Sequence, residues 1–220
     1  MLEKFKESLL CNYKNLDKST DSPIFIDLSP ENGYPSDTEI IIQQFEFIDG
    51  YTVIAAKPGV RDFCNHSPDC YETYMYWYGL DKIDRIDRTK IQSSTVKFTS
   101  ETPYKNLTSA YQELSPEYVY FGTLIGEEIV SVSGTNTPVL KESYTGSIVE
   151  LGVETNEFHR RKGYAVSNTT AISEYLLNHG YSVTCLIDNA NVNSQKTAES
   201  CGFELIAKEK TLWCPYKLNK

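Results

Sequence analysis

HRRKGYAVSNTTAISEYLLNHG, residues 159–180, holds the strongest pattern in this chain: a cluster of positive charge that runs into a predicted helix. The helix is predicted from small and apolar residues that recur at helical spacing on one stripe, namely Ala165, Thr169, Ile172 and Leu176. His179 lies in the last turn, and Gly180 follows where a left-handed residue normally ends a helix. The pattern predicts a helix that begins near Gly163, directly after a strand and loop at residues 150–161.

The start of this helix is predicted to be an anion site. A helix N-terminus leaves about four N–H groups unpaired and carries roughly half a positive charge. Gly163 lets a ligand approach that backbone, and Arg160, Arg161 and Lys162 add full positive charges. These groups suit a phosphate or pyrophosphate, although a solvated basic turn would explain the same residues equally well. The stretch has neither the GK[ST] of a Walker loop nor the three glycines of a dinucleotide fingerprint.

The composition is that of an ordinary globular protein, and it limits the partners. The chain has 220 residues, of which 40% are hydrophobic and 23% charged, and its net charge is −9. Negative charge disfavours non-specific binding to nucleic acid or to an anionic membrane and favours neutral or cationic partners. No stretch approaches the roughly 18 apolar residues of a membrane span, and residues 1–20 lack the apolar core of a secretory signal. We therefore expect a cytoplasmic protein.

The cysteines are scattered, and we interpret all of them as reduced thiols: Cys11, Cys64, Cys70, Cys185, Cys201 and Cys214. Cys64, His66 and Cys70 lie close together in CNHSPDC. A zinc site usually needs a fourth ligand, and the sequence has no second pair to supply one. A turn around Pro68 explains this segment, and we expect no metal.

Strands and helices alternate in the second half of the chain, which predicts an α/β protein with a mixed α+β sheet and at least one parallel pair. Strands are predicted at residues 95–100, 118–124, 128–133, 146–154 and 181–188, and one or two closing strands within 203–217. Helices are predicted at residues 105–114, from Tyr164 onward and at 191–202. Gly126 marks a predicted hairpin.

The first ninety residues are less regular. An amphipathic helix is predicted at residues 3–16, and residues 22–37 are loop-like. Residues 39–56 predict two strands joined at Asp49-Gly50, a dipeptide that favours hairpin turns. Residues 71–80 are predicted to form a helix whose core-facing side is aromatic: Tyr71, Tyr74, Met75 and Tyr78.

The second half resembles a known family. Residues 160–165, RRKGYA, fit the R/Q-x-x-G-x-G/A signature of the GCN5-related N-acetyltransferases (GNAT), which binds the pyrophosphate of acetyl-CoA. The strand ELGVET precedes this signature, and a helix and a strand follow it. The next segment resembles the family's second cofactor motif: Asn191-x-x-Ser194-x-x-x-Ala198-x-x-x-Gly202-Phe203. The resemblance is closest to the branch that includes zwittermicin-resistance-type acetyltransferases.

The resemblance implies a GNAT-like acyl-CoA N-acyltransferase fold over residues 94–220. Residues 1–93 would then be an N-terminal α+β region that shapes the acceptor side. The residues implied to bind the cofactor are Leu151, Gly152, Val153, Arg160, Arg161, Lys162, Gly163, Tyr164, Ala165, Asn191 and Ser194. Among them, the amides of residues 161–165 would hold the pyrophosphate, and residues 151–153 would pair with the pantetheine arm like an extra strand. Helix capping alone would also explain Asn191, and Ser194 would also fit as a small first-turn residue.

Acetyl transfer to an amine needs a base, because an alkyl ammonium has a pKa near ~10.4 and must lose a proton before it attacks. Successive side chains of a strand alternate between faces. Val149, Leu151 and Val153 form an apolar face, and Glu150 and Glu154 lie on the other. Family members often use a glutamate on this strand, so the resemblance implies Glu150 as the general base and Glu154 as the second candidate. Ordinary solvated glutamates would fit the same pattern.

The main departure from the family is Ala198, because many members have a tyrosine there that is thought to protonate the leaving thiolate. Thiols have pKa values around 8.5, so the thiolate is a fair leaving group and this acid is not indispensable. Tyr144, Tyr164 and Tyr181 are the substitutes that the sequence offers, and it does not choose among them.

We therefore expect a transferase: an acetyl-CoA-dependent N-acetyltransferase with no metal. The alternatives are a non-catalytic acyl-CoA-binding regulatory module, or an interaction protein whose basic turn is incidental. The sequence leaves the amine acceptor open between a small amine, an aminated antibiotic, and a protein N-terminus or lysine. It also leaves the oligomeric state open, a homodimer included.

Overall fold

The computed structural model of this protein describes residues 2–11, 24–27, 40–57, 68–99, 115–136, 138–139 and 148–214. Within these ranges the helices are α1 (Leu2–Cys11), α2 (Tyr164–Asn178) and α3 (Val192–Ser200). The strands are β1 (Ile24–Asp27), β2 (Ile40–Phe47), β3 (Thr52–Ala56), β4 (Tyr71–Leu80), β5 (Thr95–Phe98), β6 (Tyr120–Ile125), β7 (Glu128–Thr135), β8 (Ile148–Thr155), β9 (Ser182–Asp188) and β10 (Glu204–Trp213). The fold is therefore of the mixed α+β class.

Some predictions fall outside these ranges. They are the helix at residues 105–114, the end of the first helix at residues 12–16, and Cys64, His66 and Tyr144. Across the parts of the chain that the structure describes, no helix is both long enough and apolar enough to cross a membrane.

The described chain divides into two compact units. The first is formed mainly by Tyr78–Leu186 and Asn191–Glu204, and the second by Leu2–Trp77, Ile187–Ala190 and Leu205–Lys220. The assignment of residues 1–93 to the acceptor side stays a prediction.

The first unit contains a mixed sheet with the strand order β9-β8-β7-β6-β5. β5, β6, β7 and β8 are antiparallel neighbours, whereas β8 and β9 are parallel. The predicted strands and the predicted parallel pair are confirmed. The hairpin between β6 and β7 turns at Gly126, whose φ of 64° lies in the left-handed region that favours glycine.

Helix α2 packs across β5, β6, β7 and β8. The predicted stripe is buried at Thr169, Ile172 and Leu176, but α2 is buried on other sides as well, because the polar residues Ser167, Asn168, Thr170 and Ser173 are also buried. Asn168 Oδ1 accepts hydrogen bonds from the hydroxyls of Thr95 and Thr123, both at 3.0 Å. Buried polar groups need hydrogen-bond partners, and these two hydrogen bonds fix the rotation of α2 about its axis.

The second unit contains the strands β1-β3-β2-β10-β4 in that order. β2 and β3 form the predicted antiparallel hairpin, with Gly50 at a φ of 84° in its turn. β10 pairs antiparallel with β2. The prediction that residues 22–37 are loop-like is wrong at residues 24–27. These residues, IFID, form β1, which pairs parallel to β3.

The prediction of a helix at residues 71–80 is wrong, because this segment is the strand β4. Aromatic and β-branched residues favour strands, and here they outweigh a helical spacing that spans only ten residues. Tyr71 and Tyr74, which were placed on the core-facing side, are 55% and 41% exposed. The side chains of β4 instead alternate between the two faces of the sheet, and Trp77 points towards α1, where its ring lies 5.0 Å from that of Phe5.

The interpretation of all six cysteines as reduced thiols is wrong for Cys70 and Cys214, which form a disulfide. The sequence separation of 144 residues hid this pairing, since Cys70 directly precedes β4 and Cys214 directly follows β10, and these strands become neighbours only in the folded sheet. Cys185 and Cys201 are free.

We expect reduction of this disulfide to destabilise the protein. A cross-link between residues so far apart in sequence restricts the unfolded chain, and such bonds typically stabilise proteins by about 2–4 kcal/mol. For a chain of this size, that corresponds to a melting temperature lower by roughly 4–16 °C. Thermal melts with and without a reductant would measure the change, and the double variant Cys70→Ser/Cys214→Ser should lose its sensitivity to reductant. A wild-type melt that reductant leaves unchanged would contradict the prediction.

Candidate functional site

The parallel strands β8 and β9 separate part of the way along their length. Their ladder runs from Ile148↔Ser182 to Glu150↔Thr184 and ends there. On its other side β8 stays paired with β7 as far as Thr155. The edge of β8 that faces β9 is therefore released from the ladder after Glu150, which leaves backbone donors and acceptors for a ligand that adds like a strand.

A cleft of about 560 Å³ lies beside the last residues of β8. Its walls come from the end of β8, the loop into α2 and the start of α3. The lining residues are Val153, Glu154, Thr155, His159, Arg160, Arg161, Gly163, Tyr164, Ala165, Val166, Asn191, Asn193, Ser194 and Thr197. The fold thus brings together most of the residues that the sequence singles out, including both proposed cofactor motifs.

Three predicted cofactor residues do not line this cleft. Leu151 is buried in the core, so only its backbone is available to a ligand. Gly152 lies in the ladder opposite Gly134. Lys162 is exposed beside the cleft, and its carbonyl oxygen accepts a hydrogen bond from Gln92 at 2.9 Å.

The start of α2 presents free N–H groups to the cleft. Gly163 is the N-cap residue, and its carbonyl accepts the hydrogen bond from the Ser167 N–H at 2.9 Å. The N–H groups of the next three residues, Tyr164, Ala165 and Val166, come before Ser167, the first N–H donor of the helix, and these residues all line the cleft. A glycine N-cap has no side-chain oxygen that could accept these N–H groups, so an anion can accept them instead.

The loop before α2 has an unusual backbone. Gly163 has a φ of 80°, and Arg161 has a φ of 62°, the one left-handed value of a non-glycine residue within the described ranges. Such a residue costs about 1–2 kcal/mol and persists only where its surroundings hold it, often at functional sites. The Arg160 and Arg161 side chains are exposed, and Arg160 Nε donates to the Thr155 carbonyl at 3.3 Å. Positive charge therefore surrounds the free N–H groups.

Helix α3 forms the opposite wall of the cleft. The Asn191 side chain caps this helix, because Oδ1 accepts the Ser194 N–H at 3.1 Å. Capping therefore accounts for the asparagine, as the sequence allowed, and Asn191 also lines the cleft. Ser194 and Thr197 follow at helical spacing on the same side, whereas Ala198 is 3% exposed and lies in the core.

The two glutamates of β8 occupy different places. Glu154 lines the cleft near the start of α2. Glu150 is four residues away, in the last pair of the ladder with β9, and its Oε1 accepts a hydrogen bond from Asn136 Nδ2 at 2.7 Å. A strand rises about 3.3 Å per residue, so the two glutamates lie roughly 13 Å apart along β8.

Tyr164 and Tyr181, two of the tyrosines that the sequence offers as substitutes for the missing acid, also occupy different places. Tyr164 lines the cleft at the start of α2, and the Tyr181 hydroxyl donates to the Val139 carbonyl at 3.1 Å. Burial raises the pKa of the Cys185 thiol, and it raises the pKa of Cys201 to about 11. Cys185 and Cys201, the free cysteines whose side chains the structure describes, are therefore protonated at neutral pH and do not supply the thiolate that a covalent acyl-cysteine route would need.

Several lining residues were missed by the sequence analysis: Thr155, His159, Val166, Asn193 and Thr197. Helical spacing from Asn191 through Ser194 would have indicated Thr197. His159 lies in the quoted cluster of positive charge and was not assigned a role there. Nothing in the sequence pointed to Gln92, which contacts the loop from a distant part of the chain.

Comparison with known proteins gives limited matches. The family model described as FR47-like protein matches residues 138–214, which is about a third of the chain and includes all the residues that line the cleft. No curated protein matches the sequence.

Solved structures are similar at low identity. A protein assigned to the GNAT acetyltransferase family from Novosphingobium aromaticivorans is 15% identical, with a TM-score of 0.49 over 74% of this chain and 83% of its own. A GCN5-related N-acetyltransferase-like protein from Streptococcus suis is also 15% identical, with a TM-score of 0.49 over 66% of this chain and 62% of its own. A GNAT-family acetyltransferase from Colwellia psychrerythraea has 15% identity and a TM-score of 0.46, over 67% and 58%. The chain thus spans about three fifths of the length of the last two.

Proposed function

We propose that this protein is a GNAT-type N-acetyltransferase that moves the acetyl group of acetyl-CoA to a primary amine of a small molecule or protein. The observation that carries the proposal is one cleft that combines the free N–H groups of α2 with the released edge of β8. An anion site at the end of such an edge suits a long ligand with phosphates at one end and an amide-containing arm. The sequence signature at residues 160–165 and the FR47-like match support the same assignment.

In this proposal the phosphates of CoA lie at the start of α2. The backbone amides of residues 161–165 bind the pyrophosphate, and Arg160, Arg161 and Lys162 add charge. The pantetheine arm pairs with residues 151–153 along the released edge of β8. Asn191 and Ser194 contact the cofactor from the α3 wall.

The proposed chemistry is direct transfer. The amine nitrogen attacks the thioester carbonyl carbon, a C–N bond forms, the C–S bond breaks, and the electron pair of that bond leaves with the CoA sulfur. Glu150 takes the proton that the amine loses, directly or through water. Thiols have pKa values around 8.5, so the thiolate leaves without a dedicated acid. A buried Ala198 and the engaged hydroxyl of Tyr181 are compatible with this route.

The position of Glu150 favours it over Glu154 as the base. Phosphates at the start of α2 direct the arm along β8, so the thioester lies towards the point where β8 and β9 separate. Glu150 lies at that point, whereas Glu154 lies beside the phosphates. Asn136 holds the Glu150 carboxylate in place by its hydrogen bond of 2.7 Å.

The acceptor is proposed from weaker signals. The net charge of −9 favours a cationic amine. The resemblance of residues 149–203 to zwittermicin-resistance-type enzymes favours an aminated antibiotic among such amines. Residues 1–93 are proposed to shape the acceptor side.

We expect CoA to stabilise the protein against heat. One-site binding at 100 times the Kd adds about 2.7 kcal/mol to the free energy of unfolding, which raises the melting temperature of a chain of this size by roughly 5–10 °C. Thermal melts with CoA, and with adenosine as a control that lacks phosphates, would measure the shift. A melting temperature that millimolar CoA leaves unchanged would refute the cofactor assignment.

A further inference from the structure

Gln92 contacts the loop before α2 at two points. Its side-chain Nε2 donates a hydrogen bond to the Lys162 carbonyl at 2.9 Å. Its backbone N–H donates to Ser167 Oγ at 2.7 Å, in the first turn of α2. The same side chain fills the position that a Cβ on Gly163 would need, since Nε2 would lie 2.9 Å from that atom. The lack of a side chain at Gly163 therefore makes room for Gln92.

The segment that carries Gln92 is itself held against the helices of the first unit. Arg88 Nε donates to the Glu174 carboxylate on α2. Lys90 Nζ donates to the Ser200 carbonyl at the end of α3, at 2.6 Å. The Asp87 side chain accepts the Thr89 N–H at 3.1 Å and caps the short 3-10 turn between them. Gln92 is thus fixed in position on the side of the loop where the Lys162 carbonyl lies.

From this geometry we propose that Gln92 is a positioning residue that keeps the N–H of Gly163 directed towards the phosphates of CoA. The C=O and N–H of a trans peptide point in opposite directions. A hydrogen bond that holds the Lys162 carbonyl towards Gln92 therefore turns the Gly163 N–H away from Gln92. The inference rests on the proposed function, because it assumes that phosphates occupy the cleft.

Without this hydrogen bond the Lys162–Gly163 peptide is free to rotate. Glycine adopts positive and negative φ almost equally well, so the loop itself does not resist the rotation. A rotated peptide presents a carbonyl oxygen to the phosphates in place of an N–H donor, which weakens phosphate binding. The effect is confined to the phosphates, because the pantetheine arm and the acceptor lie elsewhere.

The variant that tests this inference is Gln92→Met, which keeps the shape of the side chain and removes the donor. We expect the KM for acetyl-CoA and the Kd for CoA to rise about tenfold, the effect expected of one hydrogen bond. The kcat and the KM for the amine should stay unchanged. Gln92→Glu places a carboxylate against the Lys162 carbonyl and should weaken CoA binding further. The matched control is Gln44→Met, the same substitution on β2 in the second unit, which should leave the KM for acetyl-CoA and the Kd for CoA unchanged.

A second substrate separates positioning from a general structural role. S-acetylpantetheine carries the thioester and the arm but lacks the pyrophosphate. Gln92→Met should lose about tenfold in kcat/KM with acetyl-CoA and nothing with S-acetylpantetheine. An equal loss with both substrates, or no loss with either, would overturn the inference while leaving the proposed function in place. A wild-type chain that binds no CoA would refute the proposed function and the inference together.

Discussion

Replacement of Gly163 by glutamate is expected to lower the affinity for CoA at least a hundredfold, about 2.7 kcal/mol. Gly163 has a φ of 80°, which side chains rarely adopt, and an added Cβ would lie 2.9 Å from Gln92 Nε2. The substitution therefore displaces Gln92 from the loop. It also places a negative charge within a few ångströms of the phosphates, where a repulsion of about 4 kcal/mol is expected at a partly solvated site. Isothermal titration with CoA would measure the loss.

Gly180→Glu is the matched control for this variant. Gly180 has a φ of 85° at the other end of α2, and nothing lies within 4 Å of an added Cβ. Both variants carry the same charge and the same backbone strain, but only Gly163→Glu alters the cleft. Gly180→Glu should melt at a lower temperature than the wild type and bind CoA with unchanged affinity. If Gly163→Glu bound CoA as the wild type does, the start of α2 would not be the phosphate site.

Replacement of Glu150 by glutamine is expected to lower kcat by about 10²–10⁴-fold, the usual contribution of a general base. Glutamine keeps the shape of the side chain, and its Oε1 can still accept the hydrogen bond from Asn136, so the local structure should persist. CoA affinity should hardly change, because the proposed phosphate contacts lie at the other end of the released edge. The deficit should shrink as the pH rises towards the pKa of the amine, near ~10.4, where the acceptor is already neutral.

A pH–rate profile of wild type, Glu150→Gln and Glu154→Gln on one good acceptor would test this assignment. Glu154 lies on the same strand but lines the phosphate end of the cleft, so Glu154→Gln should keep a kcat close to that of the wild type. A large loss in Glu154→Gln together with normal turnover in Glu150→Gln would exchange the two roles. A deficit in Glu150→Gln that does not vary with pH would show that Glu150 positions the acceptor and does not act as its base.

The strands and helices around the cleft could be predicted because each is specified locally. The stripe of α2, the stop at Gly180 and the turn at Gly126 are short-range signals, as is the turn at Gly50 in the second unit, and the structure confirms them. The same holds for the parallel pair of β8 and β9, since a helix between two strands normally joins parallel neighbours. The sequence also grouped most of the residues that line the cleft, because they come from two short motifs.

The features that the sequence did not predict depend on contacts between distant segments. Residues 71–80 have a helical spacing of aromatic residues, yet β4 pairs into a sheet whose partners come from elsewhere in the chain. The burial of polar Asn168 depends on Thr95 and Thr123, which no periodicity links to it. Gln92 approaches the loop at Lys162 across 70 residues of sequence. No local pattern encodes a hydrogen bond of that kind.

Catalysis itself is tested most directly by product formation from acetyl-CoA and a library of amines. CoA release would be followed by chromatography and acetylated amines by mass spectrometry, with Gly163→Glu as the control that lacks a cofactor site. We predict that at least one primary amine is acetylated, with one CoA released per acetyl group transferred, and that Gly163→Glu loses this activity. Binding of CoA without turnover of any amine would contradict the account, because it would identify the protein as a non-catalytic acyl-CoA-binding module.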